Sequence, residues 1–166
     1  VVESGHIGLR LPYLMSIGSN HSLFTGIHHG KLDEKNRVTI PAAWRFEGTA
    51  ETSFLAMYHP AVGSIVVFPP SMVKRISDAA LQVTVSDPDK MDALSLLGAN
   101  SIQVSCDKAG RITLNDHVVK EAHLDRDVIF KGGFTTFQIS AKNPPKTERD
   151  SERTRIILRA LRELGI

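Results

Sequence analysis

Asp33-Glu34-Lys35-Asn36-Arg37-Val38-Thr39-Ile40 is followed 74 residues later by Asp107-Lys108-Ala109-Gly110-Arg111-Ile112-Thr113-Leu114. Asp, Arg and Thr coincide in the two stretches, and the apolar positions differ only by conservative exchange. The fourth residue is Asn36 in one copy and Gly110 in the other. These two residue types enter the left-handed backbone region at least cost, so each stretch is expected to turn tightly just before its arginine. A β-hairpin is the simplest element with that turn.

The surroundings repeat as well. Strand candidates precede the turns at Ile27–Leu32 and Ser101–Cys106, and short alternating runs follow at Val38–Ile40 and Ile112–Leu114. A short helix is expected next in each copy. The first opens on Pro41, suited to a first helical position, and carries Trp44 as a core anchor. The second is capped by Asn115 and covers Asp116–His123. Two strands close each copy: Ser53–Tyr58 with Ser64–Phe68, and Asp127–Lys131 with Thr135–Ile139. Between the copies lie two longer helices. One follows Pro69-Pro70 and presents Met72, Val73, Ile76, Ala80 and Val83. The other has Asp87 as cap, Pro88 first, Met91, Leu94 and Leu97 on its apolar face, and Gly98 as its end. Their apolar faces are expected to cover the sheets.

The ends read differently. Residues 1–22 are rich in Gly, Ser and His without periodicity, as in a flexible N-terminal arm. Residues 141–150 form a polar linker containing two prolines. Ile156, Ile157, Ala160, Leu161 and Leu164 then recur at helical spacing, with Arg153, Arg155, Arg159 and Arg162 mainly off the stripe. That amphipathic helix is expected to dock on its own chain or on a neighbour.

Composition limits the function. A hydrophobic share of 42% can fill a core, and the formal charge is only +2. Seven Lys/Arg against four acids put +3 on residues 141–166, which leaves the first 140 residues at −1. Nucleic-acid binding by the body would need a local or repeated basic patch. Cys106 is the single cysteine, so no internal disulfide or cysteine-based zinc cluster is expected, and a reducing cytoplasm is the simplest compartment. No secretory signal and no membrane-length apolar run is read.

Enzyme motifs are missing. Gly26-Ile27-His28-His29-Gly30-Lys31 comes nearest to a phosphate loop but is one residue short, with Leu32 in place of the hydroxyl residue. The histidines form no H-E-x-x-H, and His117 and His123 are too far apart to share a helical metal face. No G-x-S-x-G is present. No catalytic residue, cofactor or metal is therefore expected.

The doubled D-x-x-x-R elements, with Leu32 before the first Asp, Pro41 after the first turn and the Leu96-Leu97-Gly98 step, resemble the MraZ family of the SpoVT/AbrB-like superfamily. The resemblance runs from about Phe24 to Ile139. Asn36 departs from the family's usual glycine, mildly, because Asn also reaches the left-handed region.

The resemblance implies an α+β fold. Two tandem AbrB/MraZ-like hairpin units would form a pseudo-dimeric, double-ψ-like small barrel with packing helices, residues 24–84 and 85–140 being the halves. It also implies a homo-oligomeric ring on double-stranded promoter DNA with direct repeats, usually as a repressor of the division and cell-wall gene cluster, in the cytoplasm at the nucleoid. Contacts with DNA would map onto Lys35 and Arg37.

Residue chemistry agrees with that implication. Arginine reaches guanine edges or phosphates, and Lys31 and Lys35 add charge beside Arg37. Glu34 and Asp33 partly cancel it, so one copy should bind weakly and repetition should add affinity. Arg111 is a secondary candidate. Asp33, Asn36, Asp107 and Gly110 are expected to fix the turns. His28 and His29 should divide into one packed and one exposed residue. Two readings compete: a ring-forming protein-interaction scaffold without DNA binding, and an antitoxin-like relative that would use residues 151–166. Alignment of Lys31, Lys35 and Arg37 on one face would favour DNA. Burial of Arg37 against Asp33 would favour the scaffold.

Overall fold

The computed structural model describes residues 23–45, 52–144 and 151–165. The expected arm at 1–22 lies outside the described residues, as does most of the expected linker. The chain is α+β, with eight strands and four α-helices among these residues. They are β1 (Ile27–Lys31), β2 (Arg37–Thr39), β3 (Ser53–His59), β4 (Ser64–Phe68), α1 (Pro70–Leu81), α2 (Pro88–Ala99), β5 (Ser101–Ser105), β6 (Arg111–Thr113), α3 (Asp116–Glu121), β7 (Asp127–Gly132), β8 (Phe137–Ala141) and α4 (Glu152–Glu163).

Six strands form one antiparallel sheet in the order β1-β7-β8-β4-β3-β5, and β2 pairs with β6 in a separate two-stranded ribbon. The pairing crosses between the two copies of the repeat. β1 adds to β7 with Ile27 opposite Lys131, and β5 adds to β3 with Ser101 opposite Met57. Those registers are the same when shifted by the repeat offset. Leu32 N–H donates to the Arg126 carbonyl at 2.8 Å, and Cys106 N–H to the Thr52 carbonyl at 2.8 Å, again at equivalent positions. β4 and β8 join the copies at the centre of the sheet.

The alternating strands put one set of apolar side chains inside. Phe24, Trp44, Phe54, Phe130 and Phe137 are all essentially inaccessible, together with Val38 and Ile112 from the ribbon. Sheet and ribbon thus enclose one core in a small barrel-like arrangement. Trp44 is its anchor: Phe24, Phe137 and His28 pack around the indole, whose N–H donates to the Thr25 carbonyl. The outer face of β3 and β4 carries a second apolar layer, in which Met57 and Phe68 meet Ala93 and Leu97 of α2 and Ile157 and Ala160 of α4. α4 docks on α2 through this stripe, as expected, while Ile156 stays exposed.

Several elements differ from expectation. β1 and β2 do not close a hairpin on each other. Only Leu32 and Val38 make a bridge, because each strand pairs along its whole length with a strand of the other copy. Gly98 does not end α2. The helix runs to Ala99, where Asn100 caps it by donating its side-chain amide to the Leu96 carbonyl. Met91 is partly exposed, and Ala93 takes the buried position beside Leu97. Pro41 precedes a 3-10 helix, Ala42–Trp44, instead of entering an α-helix. α3 stops at Glu121 because His123 is left-handed (φ 48°), and Leu124 N–H returns to the Val119 carbonyl. β8 begins at Phe137, after a turn in which Phe134 has φ 63°, and continues to the buried Ala141.

Candidate nucleic-acid interface

Each turn is built by an aspartate. In the first, the Asp33 carbonyl accepts from Asn36 N–H, while Asp33 Oδ1 accepts from the backbone N–H of Lys35 and of Arg37, both at 2.9 Å. Oδ2 accepts from Arg37 Nε at 2.7 Å. Asn36 has φ 55°. The second turn repeats every contact: Asp107 Oδ1 takes Ala109 and Arg111 N–H at 2.9 Å, Oδ2 takes Arg111 Nε at 2.8 Å, and Gly110 has φ 77°. Backbone donation from Arg37 and from Arg111 is the main reason that the Asp33 and Asp107 carboxyls titrate below the ordinary aspartate value. A carboxylate, a left-handed fourth residue and an arginine are thus locked into one small device in each copy.

The ribbon joins the two devices. Arg37 stands opposite Thr113, Val38 opposite Ile112, and Thr39 opposite Arg111. Beyond the ladder, Leu114 N–H donates to the Asn36 carbonyl and Ile40 N–H to the Gly110 carbonyl. Val38 and Ile112 point into the core. By strand alternation Arg37, Thr39, Arg111 and Thr113 share the opposite, outward face. Two residues along a strand and one strand across place the two arginine Cα atoms roughly 8 Å apart. Sequence order concealed this face, because the two arginines are 74 positions apart and their strands look like parts of separate hairpins.

The remaining candidates are more dispersed. Lys31 Nζ pairs with Asp127 Oδ1 at 2.9 Å across the β1–β7 ladder. That bond also holds the Asp127 carboxyl below its ordinary value. Lys35 is exposed at the first turn, with no side-chain partner among the described residues. Arg37 and Arg111 keep 32% and 38% of their side-chain surface accessible. Each spends Nε on its aspartate, and their terminal nitrogens make no hydrogen bond among the described residues. His28 is half-buried against Trp44, and His29 is exposed. Cys106 lies half-buried beside the second turn, where burial raises its thiol above the ordinary value. Among the described residues no His, Cys, Asp and Glu cluster fits a metal ion.

The comparisons with known proteins decide the family. The chain is 30% identical over 139 residues to the transcriptional regulator MraZ of Gluconacetobacter diazotrophicus, covering 81% of this chain and 88% of that protein. The chain belongs to the MraZ family. The MraZ of Mycobacterium leprae is 29% identical over 117 residues, covering 70% of this chain and 80% of its own length. The MraZ of Gluconobacter oxydans is 28% identical over 145 residues, with 81% and 85% covered. These MraZ relatives are named as transcriptional regulators, not as enzymes. No family model matches the chain. No helix among the described residues is long and apolar enough to cross a membrane.

Proposed function

We propose that this chain is a non-enzymatic transcriptional regulator that binds double-stranded promoter DNA through the outward face of the β2–β6 ribbon. One observation carries the reading: the cross-pairing brings Arg37 and Arg111 onto one face, each with its guanidinium oriented by an aspartate. A two-stranded ribbon fits the major groove, and an arginine held in place loses little freedom on reaching a guanine O6/N7 edge or a phosphate. Thr113 stands opposite Arg37 and Thr39 opposite Arg111, adding smaller hydrogen-bonding groups to the same face. Residues 24–84 and 85–140 act as the fused halves of a pseudo-dimer with a double-ψ-like barrel, in which Asp33, Asn36, Asp107 and Gly110 hold the turns. Lys35 and Lys31 supply charge beside Arg37, Lys31 after release from Asp127.

Family membership extends the proposal to a homo-oligomeric ring acting on direct repeats, as a repressor of the division and cell-wall genes, at the nucleoid in the cytoplasm. A ring multiplies weak heads by effective concentration.

The Asp33–Arg37 pair also favours the second reading, a scaffold whose turns are structural corners. Titration of the promoter upstream of its own gene separates the two. Arg37→Ala and Arg111→Ala should each weaken binding by roughly 5- to 150-fold, the worth of one bidentate base contact, with the oligomer intact by light scattering. Unchanged affinity in both variants would contradict the ribbon face, and a wild-type chain that does not bind the promoter would leave the scaffold.

A further inference from the structure

The two turns match in backbone and differ in electrical surroundings. At the first, Asn36 donates its side-chain amide to Asp116 at 2.6 Å, and Glu34 projects from the turn. At the second, the place of Glu34 is taken by Lys108, and the Arg45 side chain lies across Gly110. Arg45 is fixed there by donating Nε to the Ile40 carbonyl at 2.8 Å. A Cβ on residue 110 would come within 2.3 Å of that nitrogen, so glycine is what lets the guanidinium rest on the turn. With Asp107 matched to Arg111, Lys108 and Arg45 remain as two unopposed cations among the described residues, lining one groove with Thr52. At the first turn Lys35 is offset by Glu34, and Asp116 is added.

We propose that the second turn is the anion anchor of the head: Lys108 and Arg45 each hold a DNA backbone phosphate while the arginine face of the ribbon meets the bases. This inference rests on the DNA-binding reading above and assigns a separate contact within it. A phosphate suits the site because the cations flank a turn whose aspartate is already paired, so no free carboxylate of the turn competes for them. One charged and one near-neutral end also give the ribbon a direction. A pseudo-symmetric head would then meet its site in one orientation only.

The test uses the full chain, a duplex of its own upstream promoter and a scrambled duplex of equal length, each titrated over a range of salt. Lys108 is exposed, with no side-chain hydrogen bond among the described residues, so Lys108→Gln should fold normally. It should weaken both duplexes by the same factor, and the slope of log affinity against log salt should fall by about 1. Arg45→Lys should keep the wild-type slope and Arg45→Gln should lose about one unit, whatever its melting temperature. An unchanged slope in Lys108→Gln, or a loss confined to the promoter duplex, overturns the anchor while leaving the DNA reading in place. Failure of the wild-type chain to bind either duplex overturns both.

Discussion

Asn36 and Gly110 occupy the same place in the repeat and should respond differently to substitution. Gly110→Ala forces an alanine to φ 77° and drives its Cβ into Arg45, so it should cost about 1–3 kcal/mol, read as a lower melting temperature. Asn36→Gly relieves a left-handed side chain but gives up the exposed amide bond to Asp116. Its effect should stay within about 1 kcal/mol of zero. The turn aspartates set an acid dependence. Their folded-state carboxyls titrate below the ordinary value, so below that value the unfolded chain takes up protons that the folded chain refuses. Their contribution is complete above about pH 4 and is lost as pH falls through the lower folded values. An Asp33→Asn/Asp107→Asn double variant should therefore show a shallower fall of melting temperature on the acid side. His59 acts at higher pH: burial lowers its titration, so its share of stability falls as pH drops below about 6.5.

At the scale of elements, what could be read in the sequence was what local chemistry controls. The aspartate-led turns, the left-handed Asn36, the Asn115 and Asp87 caps and the buried Trp44 follow from nearest-neighbour patterns. Strand partners did not follow, because neighbouring strands in a chain usually pair and here β1 and β2 each leave for the other copy. The outward arginine face depends on that choice of partner, so it was hidden too. Gly98 read as a stop, yet Asn100 supplies the cap two residues later. Crossed pairing has a consequence for dissection. A fragment of residues 23–84 keeps β3 and β4 but lacks the partners of β1 and β2, and residues 85–141 lack those of β5 and β6. Each fragment alone should give little native circular dichroism, while the two mixed together should recover it.

Across the whole molecule, the copies are equivalent inside and unequal outside. Both supply strands to one core, whereas the helical layer of α1, α2 and α4 covers the outer face at β3 and β4. Arg153 ties α4 to Glu121 of α3, so the C-terminal helix is part of this packing. With a body of nearly balanced charge, the proposed binding rests on where arginines are placed instead of on bulk attraction. Family membership places the chain among transcriptional regulators, and the proposed DNA-facing surface is the ribbon. Methylation interference on its promoter duplex tests that claim most directly, because dimethyl sulfate marks guanine N7 in the major groove and adenine N3 in the minor groove. The ribbon account expects bound DNA to be depleted of duplexes methylated at guanine N7 within the site, with that depletion lost in the Arg37→Ala/Arg111→Ala variant. Interference at adenine N3 alone, or an unchanged pattern in the double variant, would contradict it.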